Sequence, residues 1–201
     1  MTQHALPSRR PDHAVAPMFP ARWSPRAFAA TPLSEAEVMT LVEAARWAPS
    51  AANRQPWRLV WALRGEAGFA AIAAALNPTN RIWADKAAVL IALASKDTSP
   101  DAGGSEVANH WSAFDTGAAW ASLALQAEAM GLAAHAMGGF DPAALAAAVG
   151  LPDGHTLRAV VAAGHRGATA DLPEALRARE VPSPRRPLAE IAFRGRFPAA
   201  R

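Results

Sequence analysis

Cysteine is absent from the 201 residues, which excludes disulfides, iron–sulfur ligation, thiol catalysis and zinc-thiolate sites. No stretch of about 20 apolar residues runs free of charge, so a membrane-spanning helix is not expected. The opening residues, "MTQHALPSRRPDHAVAPMFPARW", lack the continuous apolar segment of a signal peptide, and a cytoplasmic location is the default expectation. Lysine is scarce: of 20 basic residues, 2 are Lys and 18 are Arg. The net charge is +3 and the pI about 10.5. With abundant Ala, this is the composition a GC-rich genome gives, and it is weak support for nucleic-acid binding. An anionic small molecule stays open, because Arg suits bidentate phosphate contact.

Catalytic signatures are missing as well. No G-x-G-x-x-G fingerprint follows a strand-like run, so a dinucleotide held in a Rossmann crevice is unsupported. A P-loop, a G-x-S-x-G elbow and an H-E-x-x-H helix are all lacking. The six His residues (4, 13, 110, 135, 155 and 165) are scattered, none within two to four positions of another. No metal site is expected from them. "GHRG" (164–167) is too short to define a phosphate turn. If the protein is an enzyme, its chemistry sits in a bound organic cofactor, with the chain supplying orientation and electrostatics.

What is present is enough apolar side chain, 51%, for one well-buried domain. Residues 1–21 are rich in Pro, Arg and His without periodicity and read as a flexible N-terminal arm. Ser34 with Glu37 forms a capping box ahead of Val38, Leu41, Val42 and Ala45 at helical spacing, and Pro49 stops that helix. "WRLVWAL" (57–63) has strand length, and 65–76 is an Ala-rich helix. "AAVLIALAS" (87–95) suits a buried strand, and "DTSPDAGGSE" (97–106) is a loop. A long helix is expected from about 110 to 130, ended by Gly131. A strand over 132–140 follows, then a helix capped by Asp141 with Pro142 first and Gly150 last, then a strand over 156–164. Strands alternating with helices indicate an α/β or α+β sheet with helices against it. Residues 22–201 are read as a single domain that includes a C-terminal extension.

Four segments combine turn geometry with hydrogen-bond donors. In "RWSPR", Arg22, Ser24 and Arg26 share one face if the stretch is extended; a phosphate site and a solvated basic stretch are both consistent with that. In "PSAANRQPW" (49–57), Asn53 and Gln55 can donate and accept as an imide-edged heterocycle requires. Ser50 adds a hydroxyl, and Pro49 and Pro56 stiffen the loop. A helix stop whose polar side chains satisfy their own backbone would look the same. In "MGGF" (137–140), Gly138 and Gly139 permit close approach of backbone to a ligand, or simply a tight turn. In "SPRRPLAEIAF", Arg185 and Arg186 form a basic tail.

Taken in order, R-x-S-x-R, P-S-x-x-N-x-Q-P-W, the helix "GAAWASLALQAEAMGL" with "GGFD", and the final R-R-P-L resemble the flavin-dependent nitroreductase family from about residue 22 to 193. The resemblance implies an α+β fold, a nitroreductase-like central sheet flanked by helices. It further implies a homodimer with FMN at the interface and a C-terminal segment crossing to the partner. On it, Arg22, Ser24 and Arg26 hold the FMN phosphate and one ring edge, joined by Arg185 or Arg186. Pro49, Ser50, Asn53 and Gln55 come from the other subunit. The backbone of Gly138 and Gly139 lies beside the redox-active centre. Asn77 or Asn80, in "NPTNRIW", corresponds to a ring-contacting Asn, with Asn80 assigned. Family members often carry Glu where this chain has Gly138. Trp111 and Phe114 either wall a substrate pocket or belong to the core of the long helix.

The implied activity is ping-pong hydride transfer from NADH or NADPH, through FMN, to a nitroaromatic, quinone or related electron-poor acceptor. The rival is a flavin-binding carrier or sensor without reductase turnover. A nucleic-acid binder is disfavoured, since no aromatic residues interleave the basic tail for stacking on bases.

Overall fold

The computed structural model of the chain describes residues 9–198. Residues 1–8 of the expected arm and 199–201 of the extension lie outside the described residues. The order of elements is α1 (Met18–Ala21), α2 (Glu35–Arg46), β1 (Trp57–Leu63), α3 (Ala67–Ala75), α4 (Pro78–Ala84), β2 (Val89–Lys96), β3 (Thr98–Pro100), β4 (Glu106–Ala108), α5 (Ser112–Ala129), β5 (Ala133–Met137), α6 (Pro142–Val149), β6 (His155–Gly164) and α7 (Glu174–Arg177). Four strands form one sheet in the order β1-β2-β6-β5, and every neighbouring pair is antiparallel. Helices covering an antiparallel sheet make this an α+β arrangement.

β2 explains why the sheet is central. Its sequence, VLIALASK, is buried along nearly its whole length, so both of its faces are covered and its side chains need not alternate in polarity. Leu90 and Ala92 face one core with Val160 and Ala162, against Phe69 and Ile72 of α3, Trp83 of α4 and Leu145 of α6. Val89, Ile91 and Leu93 face the other with Val161 and Ala163, against Val38, Leu41 and Ala45 of α2 and Leu123 and Ala127 of α5. The register Leu90↔Ala162 and Ile91↔Val161 keeps like faces together, and a one-residue slip would exchange the two cores.

The caps follow the sequence. Ser34 and Glu37 form the expected capping box on α2. Asp141 accepts from the Ala143 and Ala144 N–H groups at the start of α6, and Gly150 closes that helix at φ 62°. Two stretches differ from expectation. The 97–106 loop contains part of a small hairpin, β3 paired with β4. Its turn is held by Asp101 Oδ1, which accepts from the Gly103 and Ser105 N–H groups, a local side-chain bond that pattern reading does not register. Residues 78–84 are helical, with Asn77 accepting from the Asn80 N–H and Pro78 in the first turn. That cap-plus-Pro signal was available in the sequence. Among the described residues no helix is long and apolar enough to cross a membrane.

Candidate functional site

A cleft of about 440 Å³ is lined by Arg9, Arg22, Ser24, Arg26, His135, Arg179 and Arg185, with Trp23, Val181 and Ser183. Five guanidiniums thus face one space, drawn from three stretches far apart in the chain. The ion pairs among the described residues include Arg26–Glu180 but none that involves Arg9, Arg22 or Arg185. Burial and the charge of Arg185 hold the guanidiniums of Arg9 and Arg22 below the ordinary Arg range. Clustered like charge of this kind is relieved by an anion. Arg22 Nη1 donates to Ser24 Oγ at 3.2 Å, which leaves the Ser24 O–H free to donate outward.

The wall carrying Arg22, Ser24 and Arg26 is fixed from behind by Glu180. Its Oε1 accepts from the Arg26 and Ala27 backbone N–H groups, each at 2.8 Å. Its Oε2 lies 3.9 Å from Arg26 Nη1. His135 stands on β5, tilted on Trp83 with centroids 4.7 Å apart. Its Nδ1 lies 2.9 Å from Pro25 O. A carbonyl only accepts, so Nδ1 carries the proton and Nε2 is an acceptor in the neutral ring. Burial pushes the imidazole below its usual range, against the Pro25 hydrogen bond and with help from Arg26 and Arg22.

Of the residues singled out in the sequence, Arg22, Ser24, Arg26 and Arg185 meet in this cleft, and Arg186 is not among its lining residues. Asn80 and Gly139 meet elsewhere. Asn80 Nδ2 donates to Gly139 O at 3.1 Å, as does the Asn77 N–H at 3.1 Å. A Cβ on Gly139 would sit 2.2 Å from Asn77 Nδ2, whereas one on Gly138 would meet nothing within 4 Å. A side chain on Gly139 would therefore force the asparagines to shift, whereas Gly138 borders open space. Neither glycine N–H makes a hydrogen bond among the described residues.

Pro49, Ser50, Asn53 and Gln55 line no part of the cleft in the same chain. Their loop is nonetheless tightly specified. Ala52, Asn53 and Gln55 all have positive φ, at 50°, 54° and 48°, an arrangement that costs of order 1–3 kcal/mol per non-Gly residue and persists only where the surroundings impose it. Ser50 Oγ accepts from the Gln55 N–H at 3.0 Å. The buried Asp115 on α5 accepts from the Ala51 N–H at 3.1 Å. Arg54 reaches Asn109 Oδ1 at 3.4 Å. The side-chain amides of Asn53 and Gln55 stay exposed, apart from a Gln55 Nε2 bond to Asn53 O. Trp111 and Phe114 are not core residues. They pack edge to face, centroids 5.9 Å apart, and are 54% and 72% exposed.

Sequence reasoning missed Arg9, which lines the cleft, Glu180, which holds its wall, and Asp115 and Asn109, which hold the 49–55 loop. "GHRG" proves structural: Arg166 pairs with Glu128, and a Cβ on Gly167 would strike the Phe28 backbone at 2.7 Å. A second cleft, about 350 Å³, has Phe28, Ile82, Trp83 and Leu172 in its wall. Its Arg64 is committed to the carbonyls of Lys86 and Ala30.

Comparison with known proteins places these features in context. An uncharacterized 15.4 kDa protein from the ask 5′ region of Mycolicibacterium smegmatis is 44% identical over 98 residues, which are 48% of this chain and 66% of that protein. A solved structure described as an oxidoreductase containing FMN is 40% identical, with a TM-score of 0.93 and full coverage of both chains. A protein described as a nitroreductase, solved in complex with FMN, from Desulfovibrio desulfuricans is 27% identical. Its TM-score is 0.70, with 92% of this chain and 100% of that one covered. A model of the nitroreductase family matches residues 20–165, and with that span matched the chain belongs to the nitroreductase family.

Proposed function

We propose that the protein is an FMN-dependent oxidoreductase that takes hydride from NADH or NADPH and delivers it to a nitroaromatic, quinone or related electron-poor acceptor. The observation that carries this reading is the cleft of five guanidiniums and Ser24. Its donor set fits a phosphate monoester: fork-shaped, permanently charged donors for a doubly charged anion, each charge-assisted bond contributing about 1.5–3 kcal/mol. The FMN bound to two solved relatives supports the same ligand here. When bound, the flavin supplies the hydride chemistry.

The chain's own part is binding and orientation. Arg22, Ser24, Arg26 and Arg185 hold the phosphate, and Glu180 keeps the Arg26 backbone in place. The N–H groups of Gly138 and Gly139 are unbonded among the described residues and a side chain on Gly138 would meet nothing within 4 Å, so this backbone is available to the ring, while Asn80 fixes the Gly139 carbonyl. The 49–55 loop holds Asn53 and Gln55 ready in a strained conformation.

We read the functional unit as a homodimer, because that loop lines no part of its own chain's cleft. The exposed apolar surface agrees. Trp111 and Phe114 at the start of α5 and Leu188, Ile191, Phe193 and Phe197 in the tail are all left in water by one chain, more apolar surface than isolated exposed residues account for. Residues 22–201 then form one domain whose C-terminal extension crosses to the partner.

Equilibrium dialysis against FMN tests the reading, with saturable uptake and a yellow protein as the expected result. A protein that stays colourless after incubation with excess FMN would contradict it.

A further inference from the structure

Arg9 lies outside the span matched by the family model, 20–165, in the stretch read from sequence as an arm. Its guanidinium nonetheless lines the cleft. One Nη donates to Arg22 O at 2.8 Å and the other to Ser183 O at 3.4 Å. These two carbonyls belong to different segments of the cleft, one from the R-x-S-x-R segment and one from the C-terminal tail. Backbone carbonyls hold a guanidinium without cancelling its charge. An Arg has five N–H donors, and two are used, so three remain for a ligand.

Burial first, then the charges of Arg185 and Arg22, hold the Arg9 guanidinium below the ordinary Arg range, with the charge of Glu128 working against them. Glu128 is committed to Arg166. The guanidinium is thus half-buried, immobilised and electrostatically uncompensated.

We propose that Arg9 is a phosphate ligand supplied by the N-terminal segment, which closes over the cofactor's phosphate and ties the 22–26 wall to the C-terminal tail. The assignment rests on the FMN reading above and adds a third chain segment to the phosphate cradle. Because only the phosphate is engaged, Arg9 raises affinity for the phosphorylated flavin and not for the isoalloxazine ring. It therefore contributes to discrimination between FMN and riboflavin.

The test is paired titration of FMN and riboflavin into full-length apoprotein, wild type and the Arg9→Ala and Arg9→Lys variants. Arg9→Ala is expected to weaken FMN by about 10- to 100-fold, the worth of one charge-assisted bond, and riboflavin by less than about threefold. Arg9→Lys retains the charge but not the fork, and its FMN affinity is expected to fall between the two. Equal weakening of both flavins in Arg9→Ala would make Arg9 a mere packing residue and overturn the proposal, as would no change in either. A wild-type protein with no preference for FMN over riboflavin would overturn the phosphate reading itself, and this proposal with it.

Discussion

Replacing Glu180 by Ala should cost far more than an ordinary tail substitution. Its carboxylate accepts the Arg26 and Ala27 N–H groups at 2.8 Å each, and its side chain is 3% exposed. Hydrogen bonds to a charged acceptor contribute about 1.5–3 kcal/mol apiece, so the two together account for roughly 3–6 kcal/mol. Water entering the vacated space returns part of this, leaving an expected loss of about 3–5 kcal/mol for Glu180→Ala. Glu180→Gln keeps an oxygen where Oε1 stands and loses the charge assistance and the long ion pair to Arg26, together about 1–2 kcal/mol. Urea unfolding at neutral pH measures both as shifts in midpoint at constant slope. Amide exchange reports the same event locally, with the Arg26 and Ala27 protons exchanging faster. A Glu180→Ala protein within about 0.5 kcal/mol of wild type, the range of unremarkable surface changes, would refute the clamp. So would a Glu180→Gln loss as large as that of Glu180→Ala.

Gly139→Ala should destabilise by about 1–3 kcal/mol in thermal melts by forcing Asn77 aside, since its Cβ would lie 2.2 Å from Asn77 Nδ2. Gly138→Ala should leave the melt unchanged yet lower FMN occupancy, and unaltered occupancy would remove the ring from that position. Phe114→Asp places a charge in the expected dimer contact twice over, and light scattering should show monomer together with lost flavin, a cost of at least about 2 kcal/mol per site. His135 has its folded pKa depressed by burial first and by Arg26 and Arg22. Its contribution to stability is therefore full above the unfolded value of about 6.5 and declines as pH falls through it towards the folded pKa. His135→Gln should flatten the decline in urea midpoint between about pH 7 and about pH 5; an identical slope in both proteins would contradict this.

Elements set by local pattern were legible in the sequence: the Ser34 capping box, the buried run of β2, and the Asp141-to-Gly150 helix. So was part of the cleft, because R-x-S-x-R places Arg22, Ser24 and Arg26 within one short segment. What stayed hidden depends on long-range contact. Glu180 is an unremarkable acidic residue until the tail folds back onto Arg26, 154 positions away. Asp115 reads as a first-turn helix acid, yet its carboxylate serves the Ala51 N–H, 64 positions off. Arg9 sits in a segment with no periodicity, and only Arg22 O and Ser183 O locate it. Trp111 and Phe114 fit the apolar count of α5, but helical spacing alone did not say which face each occupies.

The central claim is that this chain holds a flavin that exchanges hydride with nicotinamide. Anaerobic addition of NADH or NADPH to the FMN-loaded protein tests it most directly. The account predicts that the visible flavin absorbance bleaches with at least one donor and returns when a quinone or nitroaromatic is added. Oxidised absorbance that persists with both donors would contradict it and leave a flavin carrier in its place.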